Sequence, residues 1–191
     1  MLELLQVSYH KNKKKEGINM NFIDTAKKRF SVRNYADRPV EPEKVRLILE
    51  AAHVAPTAAN RQPVRLIVVQ SREGLEKIGK AANIYGAPLA IIVCADHNRA
   101  WVRPFDKKNT CDIDASILTD HMMLQATELD LGSVWICYFK PDVICEEFQL
   151  PENLEPINIL AIGYSNEEDG KPDRFNWTRI PMDQLVSCEM Q

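Results

Sequence analysis

Ala55-Pro56-Thr57-Ala58-Ala59-Asn60-Arg61-Gln62-Pro63 divides a stretch of helical periodicity from a stretch of strand character. On its N-terminal side, Val45, Ile48, Leu49 and Ala52 share one face of a helix predicted over 42–54, with Pro42 suited to the first turn. On its C-terminal side, a Leu-Ile-Val-Val run predicts a strand over 64–69. Between them stand two carboxamides and a hydroxyl in a connecting segment, where functional groups concentrate. A carboxamide both donates and accepts, so Asn60 and Gln62 can pair with a flat heterocycle that presents carbonyl oxygens beside an N–H. Asn and Gln in turns also cap their own backbone, and this stretch alone leaves both readings open.

The alternation continues in both directions. A short helix is predicted over 21–30 with Phe22, Ile23 and Ala26, an amphipathic helix over 71–82, and a buried strand over 89–95. Residues 96–111 have no period and read as a long surface loop, a type of segment that often faces substrate. The longest helix is predicted over 112–131, with Ala115, Leu118, Met122, Ala126 and Leu129 as its stripe and Gly132 placed to stop it. A strand over 134–139, a short helix opened by Pro141 and Asp142, and a strand over 157–164 follow, and the end of the chain is polar and irregular. Alternating helices and strands of this kind predict a layered α/β or α+β sandwich.

The chain has 191 residues, with 24 Lys+Arg against 27 Asp+Glu for a net charge of -3. That is one domain's worth of chain, and it lacks the basic surplus of a nucleic-acid or anionic-membrane binder. Its longest apolar runs, 88–95 and 157–162, fall short of the roughly 18 residues of a membrane span. The 5 cysteines form no C-x-x-C pair and are odd in number, which fits a reducing cytoplasm. Residues 1–19 carry Lys11, Lys13, Lys14 and Lys15 and no clear period, so the domain is expected to start at Met20. Lys15-Glu16-Gly17 back-translates to purine-rich codons just ahead of the Met20 codon, as a ribosome-binding site would. Residues 1–19 are therefore expected to be a non-native extension of a domain spanning 20–191.

Two motifs fail on chemistry. Gly74 to Lys80 fits G-x-x-x-x-G-K, but Ala81 stands where a magnesium-binding hydroxyl belongs and Glu76 would place a negative charge among phosphates. Leu75, Ile78 and Ala82 make it a helix. Asp112 and Asp114 open the long helix, where capping and the helix dipole favour them over a metal or acid–base role. The four histidines lack ligand spacing, so no metal is expected. Cys111 and Cys137 have no histidine partner visible in the sequence and read as buried or inert thiols.

Arg29-Phe30-Ser31-Val32-Arg33 leaves the first helix in an extended stretch, so Arg29, Ser31 and Arg33 project to one side. Two guanidinium forks and a hydroxyl suit a phosphate, although arginine-rich stretches are also commonly solvated. With this cluster beside the Asn60 and Gln62 loop, the sequence resembles the nitroreductase family of FMN-dependent oxidoreductases. The resemblance rests on Arg29-x-Ser31-x-Arg33, Ala-Pro-Thr-x-x-Asn-x-Gln-Pro after the helix from Val45, Leu129-x-Leu131-Gly132, Val134-Trp135-Ile136 and Leu160-Ala-Ile-Gly163-Tyr164.

The resemblance implies a three-layer α+β sandwich, with a mostly antiparallel central sheet flanked by helices, in an intertwined homodimer with FMN at the interface. By position, Arg29 and Arg179 would bind the phosphate, Ser31 the phosphate or ribityl chain, and Arg33 the N1 and O2 side of the ring. Phe30 and Pro56 would line the site, and Thr57, Asn60 and Gln62 would reach it from the partner chain. The backbone of Ile136, Cys137 and Tyr138 would pass the ring near N5. Phe30, Thr57, Val64 and Cys137 depart from the common family residues at their positions. The implied activity is hydride transfer from NADH or NADPH through FMN to a planar acceptor (nitroaromatic, quinone or flavin) by a ping-pong mechanism, with no catalytic side chain. Flavin storage without turnover and reductive dehalogenation are the alternatives.

Overall fold

The computed structural model describes residues 21–167 and 174–189. The expectation about residues 1–19 lies outside them. Four strands, β1 (Val64–Val69), β2 (Leu89–Asp96), β3 (Gly132–Ile136) and β4 (Leu154–Gly163), form one sheet in the order β1-β2-β4-β3. All three pairings are antiparallel. The helices are α1 (Phe22–Lys28), α2 (Pro42–His53), α3 (Arg72–Ala81), α4 (Cys111–Glu128), α5 (Pro141–Phe148) and the one-turn α6 (Phe175–Thr178) and α7 (Met182–Leu185). The last two replace the irregular end expected from the sequence.

The sheet lies between two helical layers. Leu89, Ile91 and Val93 of β2 pack with Ile48 of α2 and Ala115 and Met122 of α4. Ala90, Ile92 and Cys94 pack with Ile78 of α3 and Ile144 of α5 on the other side. With both faces covered, β2 reads as a continuous apolar run. The G-x-x-x-x-G-K segment lies wholly within α3: Ser71 caps the helix by accepting from the Gly74 N–H at 3.1 Å, and Lys80 pairs with Glu147.

β4 contains a bulge. Val93 faces Asn158 and Cys94 faces Pro156, so Ile157 is the extra residue. Before it, Leu154 packs on the α3/α5 side; after it, Leu160 and Ile162 face α2 and α4. Asn158 is fully buried and exchanges hydrogen bonds of 3.1 and 3.2 Å with Thr119 of α4.

α4 ends earlier than its apolar pattern suggested, and Gly132 is not its stop. Asp130 takes the left-handed conformation (φ 57), the Leu131 N–H donates to Ala126 O at 2.9 Å, and the Asp130 N–H donates to Thr127 O at 3.2 Å. These are the two bonds of a Schellman ending. Lys44 donates to Leu129 O at 2.6 Å, and Lys28 pairs with Asp130, so cations sit where the helix dipole favours them. Gly132 instead begins β3 and permits a close approach. A Cβ there would lie 2.5 Å from Val32 Cγ2.

Tyr164, just past β4, ties the sheet to the start of α2. Its hydroxyl donates to Glu41 Oε2 at 2.6 Å, Arg38 donates to Glu41 Oε1 at 2.6 Å, and the Arg38 guanidinium lies 3.8 Å from the Tyr164 ring centroid. The Tyr164 bond first, then Glu41's own backbone N–H and the Arg38 bond, lower the Glu41 pKa from 4.5 to about 2. A depressed carboxyl pKa adds stability above its unfolded value and loses it as the pH falls through the folded one. Glu41→Gln is therefore expected to flatten the part of the acid-induced fall in Tm between about pH 4.5 and 2, as read from melts of both proteins across that window.

Candidate functional site

The Arg29–Arg33 segment runs along the open side of β3. Ser31 pairs with Ser133 as a parallel bridge, and the Val32 N–H donates to Ser133 O at 3.1 Å. The expected alternation holds: Val32 is fully buried, Ser31 is half-buried and Arg33 is exposed. The close approach at Gly132 is what seats Val32, and Val32 in turn fixes the direction of its neighbours. Phe30 packs against the edge of the α3/α5 core. The Ser31 hydroxyl has no hydrogen bond among the described residues.

Three guanidiniums gather at this segment. Burial first, then the positive charges of Arg174 and Arg179, lower the Arg29 pKa. Sequence reasoning named Arg29 and Arg179 but missed Arg174, which belongs to no motif. Arg174 donates to Lys27 O at 2.6 Å and Arg29 O at 2.7 Å, closing the carbonyl end of α1, and stacks 4.2 Å from the Phe175 ring centroid. A cavity of about 260 Å³ opens here, lined by Lys28, Arg29, Phe30, Gly132, Tyr164 and Glu167 among others. Repelling guanidiniums beside a cavity form a site that an anion would stabilise. The backbone N–H of Arg33 donates to Glu167, and its guanidinium donates to Ser31 O at 3.3 Å and lies 6.0 Å from the Tyr85 ring centroid.

The 55–63 loop is a single 3-10 turn, Ala58–Asn60, held in a strained form. Ala59, Asn60 and Gln62 have φ of 48, 51 and 49. None is glycine, so each costs on the order of 1 kcal/mol. The Thr57 hydroxyl accepts from the Gln62 N–H at 3.0 Å, Thr57 O accepts from the Asn60 N–H at 3.0 Å, and Gln62 Nε2 donates to Asn60 Oδ1 at 3.1 Å. The two carboxamides thus use one donor and one acceptor on each other. Among the described residues Asn60 Nδ2 remains as a free donor and Gln62 Oε1 as a free acceptor, both on exposed residues. Such a pair matches a heterocycle edge with adjacent C=O and N–H groups. A second cavity of about 260 Å³ adjoins the loop, with Leu49, Ala55, Thr57, Gln62, Leu66 and Leu118 in its wall. Pro56 is exposed beside it.

The two clusters are attached at opposite ends of α4. The loop is tied to Asp114 in the first turn, and the Arg29 segment shares its cavity with Thr127 and Asp130 at the last. At 1.5 Å per residue these anchors are about 20 Å apart along the helix. Ile136, Cys137 and Tyr138 occupy the far end of β3, where the strand stops at Ile136 rather than at Phe139. Ile136 is in the core, whereas Cys137 is exposed and Tyr138 is 97% exposed.

The reading of Cys137 as buried is corrected, and that of Cys111 as a buried, inert thiol holds. Cys137 is not a buried thiol, because β3 ends before it. Cys111 does have a histidine: its Sγ lies 3.7 Å from His97 Nδ1, and His97 Nε2 meets Glu155. The pair spans the 97–110 loop, beyond the reach of any spacing rule. It does not make a nucleophile, since burial, reinforced by Asp112, Glu155, Asp114 and Asp96, pushes the Cys111 thiol up to about 11. Asp112 and Asp114 keep the first-turn position that the dipole favours, but neither caps the helix: Thr110 is the N-cap of α4, and the Asp114 carboxylate reaches Ala58 with one oxygen and the Thr110 hydroxyl with the other.

The sequence profile of the Nitroreductase family matches residues 26–84 and 79–164. A crystal structure of a nitroreductase family protein from Clostridium difficile 630 superposes with a TM-score of 0.88 at 60% identity, covering 90% of this chain and 100% of that one. An FMN-dependent nitroreductase from Clostridium difficile R20291 gives a TM-score of 0.67 at 32% identity, covering 83% and 98%. A Bacillus subtilis protein named as an NAD(P)H FMN reductase is 31% identical over 164 residues, 76% of this chain and 66% of its own. The chain belongs to the nitroreductase family. A Methanothermobacter thermautotrophicus relative, provisionally named NADH dehydrogenase/NAD(P)H nitroreductase, is 34% identical over 173 residues, 86% of this chain and 88% of its own.

Proposed function

We propose that the protein is an FMN-dependent oxidoreductase that moves hydride from NADH or NADPH to a planar acceptor (nitroaromatic, quinone or flavin) by a ping-pong mechanism, acting as a homodimer. The observation that carries this reading is the division of ligand-holding chemistry between the two ends of α4. One end gathers guanidiniums suited to a phosphate, and the other offers a donor–acceptor edge suited to a pyrimidine ring. An FMN held by both kinds of end, one from each of two chains, accounts for their separation. The donor set therefore fits the cofactor.

When bound, FMN supplies a ring that accepts and delivers hydride. Arg29 and Arg179 hold the phosphate, and the Ser31 hydroxyl adds a donor to the phosphate or ribityl chain. Arg33 places positive charge toward the N1 and O2 side and favours the ring's anionic form. Thr57 holds Gln62 in register by accepting its N–H, so the Asn60 and Gln62 carboxamides stay turned to the pyrimidine edge. Phe30 and Pro56 exclude water at the two ends, and the segment from Ile136 to Tyr138 passes the reacting side of the ring. Residues 20–191 make up the working domain.

The test is optical. Purified protein should be yellow, bleach anaerobically with NADH or NADPH, and recover colour with a quinone or nitro compound. Protein that takes up no FMN sinks the reading, and yellow protein that no nicotinamide bleaches reduces it to flavin storage. A chemical footprint adds to this: exposed Cys137 and Cys188 should alkylate readily, and FMN should slow Cys137 severalfold while leaving Cys188 unchanged, as followed by mass spectrometry.

A further inference from the structure

We propose that Asp114 is a positioning residue: its buried carboxylate reaches from α4 to the 57–62 loop and holds Asn60 and Gln62 in the conformation that receives the flavin. The inference rests on the reading above. Asp114 is fully buried, and neither of its oxygens serves its own helix as a cap. Oδ1 accepts from the Ala58 N–H at 2.8 Å, and Oδ2 accepts from the Thr110 hydroxyl at 3.2 Å. The Thr110 backbone N–H donates to Trp101 O at 3.1 Å, so the same carboxylate, through Thr110, steadies the end of the 97–110 loop.

The need for such a tether follows from the loop's backbone. Three non-glycine residues in the left-handed region oppose the fold locally, and such a conformation persists only when its surroundings over-determine it. Most of the loop's other bonds are internal, from Thr57 to Asn60 and Gln62 and from Ala58 to Arg61. Internal bonds shape the turn without fixing it relative to the sheet. The Ala58 bond does fix it, one residue before the strained run begins. A carboxylate suits this task because it accepts two strong bonds at once, and its place in the first turn of α4 lets the helix dipole offset its buried charge.

The test compares Asp114→Ala, Asp114→Asn and Ala58→Pro. Asparagine keeps an acceptor for the Ala58 N–H. Proline removes that N–H and leaves α4 intact, and Thr57 already has the extended conformation (ψ 157) that precedes proline. Expected results are an FMN Kd at least about tenfold weaker for Asp114→Ala and Ala58→Pro, a shifted flavin absorption band in both, and values close to wild type for Asp114→Asn. In the FMN-free protein, Ala58 amide hydrogen exchange should be protected in wild type and Asp114→Asn. Should Asp114→Ala fail to fold, Ala58→Pro and Asp114→Asn carry the decision. Wild-type FMN affinity in Ala58→Pro, or affinity lost in Asp114→Asn while Ala58 stays protected, would overturn the proposal. Failure of wild type to bind FMN removes the flavin reading instead, and the exchange measurement then still reports whether Asp114 holds the loop.

Discussion

Arg29→Ala is expected to weaken FMN binding by roughly 10- to 150-fold, from the loss of a charge-assisted hydrogen bond of about 1.5–3 kcal/mol. The same change should leave the Tm of the FMN-free protein level or raise it. Arg174 and Arg179 press on the Arg29 guanidinium when no anion is present, so removing it relieves repulsion. The bonds from Arg174 are made to the backbone carbonyls of Lys27 and Arg29 and survive the substitution. A binding residue and a folding residue therefore predict opposite shifts in the flavin-free melt. Arg29→Lys keeps the charge without the fork and should recover part of the affinity. Isothermal titration with FMN, paired with melts of flavin-free protein, checks both effects; an unchanged Kd would remove Arg29 from the phosphate site.

Gly132→Ala is expected to cost about 1–3 kcal/mol as an overpacking change, because the new Cβ would stand 2.5 Å from Val32 Cγ2 and 3.0 Å from Val32 Cβ. At this chain length each kcal/mol lowers Tm by roughly 2–4 °C. Affinity for FMN should fall as well, since Ser31 and Arg33 flank the displaced valine. Adding Val32→Ala restores room, so the double variant should regain stability over Gly132→Ala, and the coupling energy in a double-mutant cycle measures the contact. Additive effects in that cycle would show that Gly132 and Val32 do not press on each other.

The sequence made the layers legible because burial imposes periodicity. The α4 stripe of Ala115, Leu118, Met122 and Ala126 and the apolar run of β2 are direct imprints of a sheet covered on both faces. Arg29-x-Ser31-x-Arg33 and the Asn60–Gln62 loop stood out for a similar reason, each lying within a few consecutive residues, whereas Arg174 and Arg179 meet Arg29 only through the fold. What escaped depends on long-range geometry. The role of Gly132 depends on a valine a hundred residues earlier, the partner of Asp114 lies in another loop, and the link from Cys111 to His97 spans a segment without pattern. Asp114 also misled because a carboxylate in the first helical turn is favoured by the dipole whatever else it touches, so its sequence signal is the same for either role.

The extra residue in β4 bears on how the chain finds its own pairing. Most sheets are protected against slippage because a one-residue shift would turn apolar side chains to water. That safeguard is absent from β2 and the second half of β4, which carry apolar residues on both faces and would bury equally well one step out of place. Ile157 and the Asn158–Thr119 pair supply the missing address. A slipped strand would strand the Asn158 amide in hydrocarbon opposite no hydroxyl, at a cost of about 1–3 kcal/mol. One polar contact in the core thus distinguishes the native alignment from its nearest competitors, and with it the positions of β3 and of everything docked on its edge.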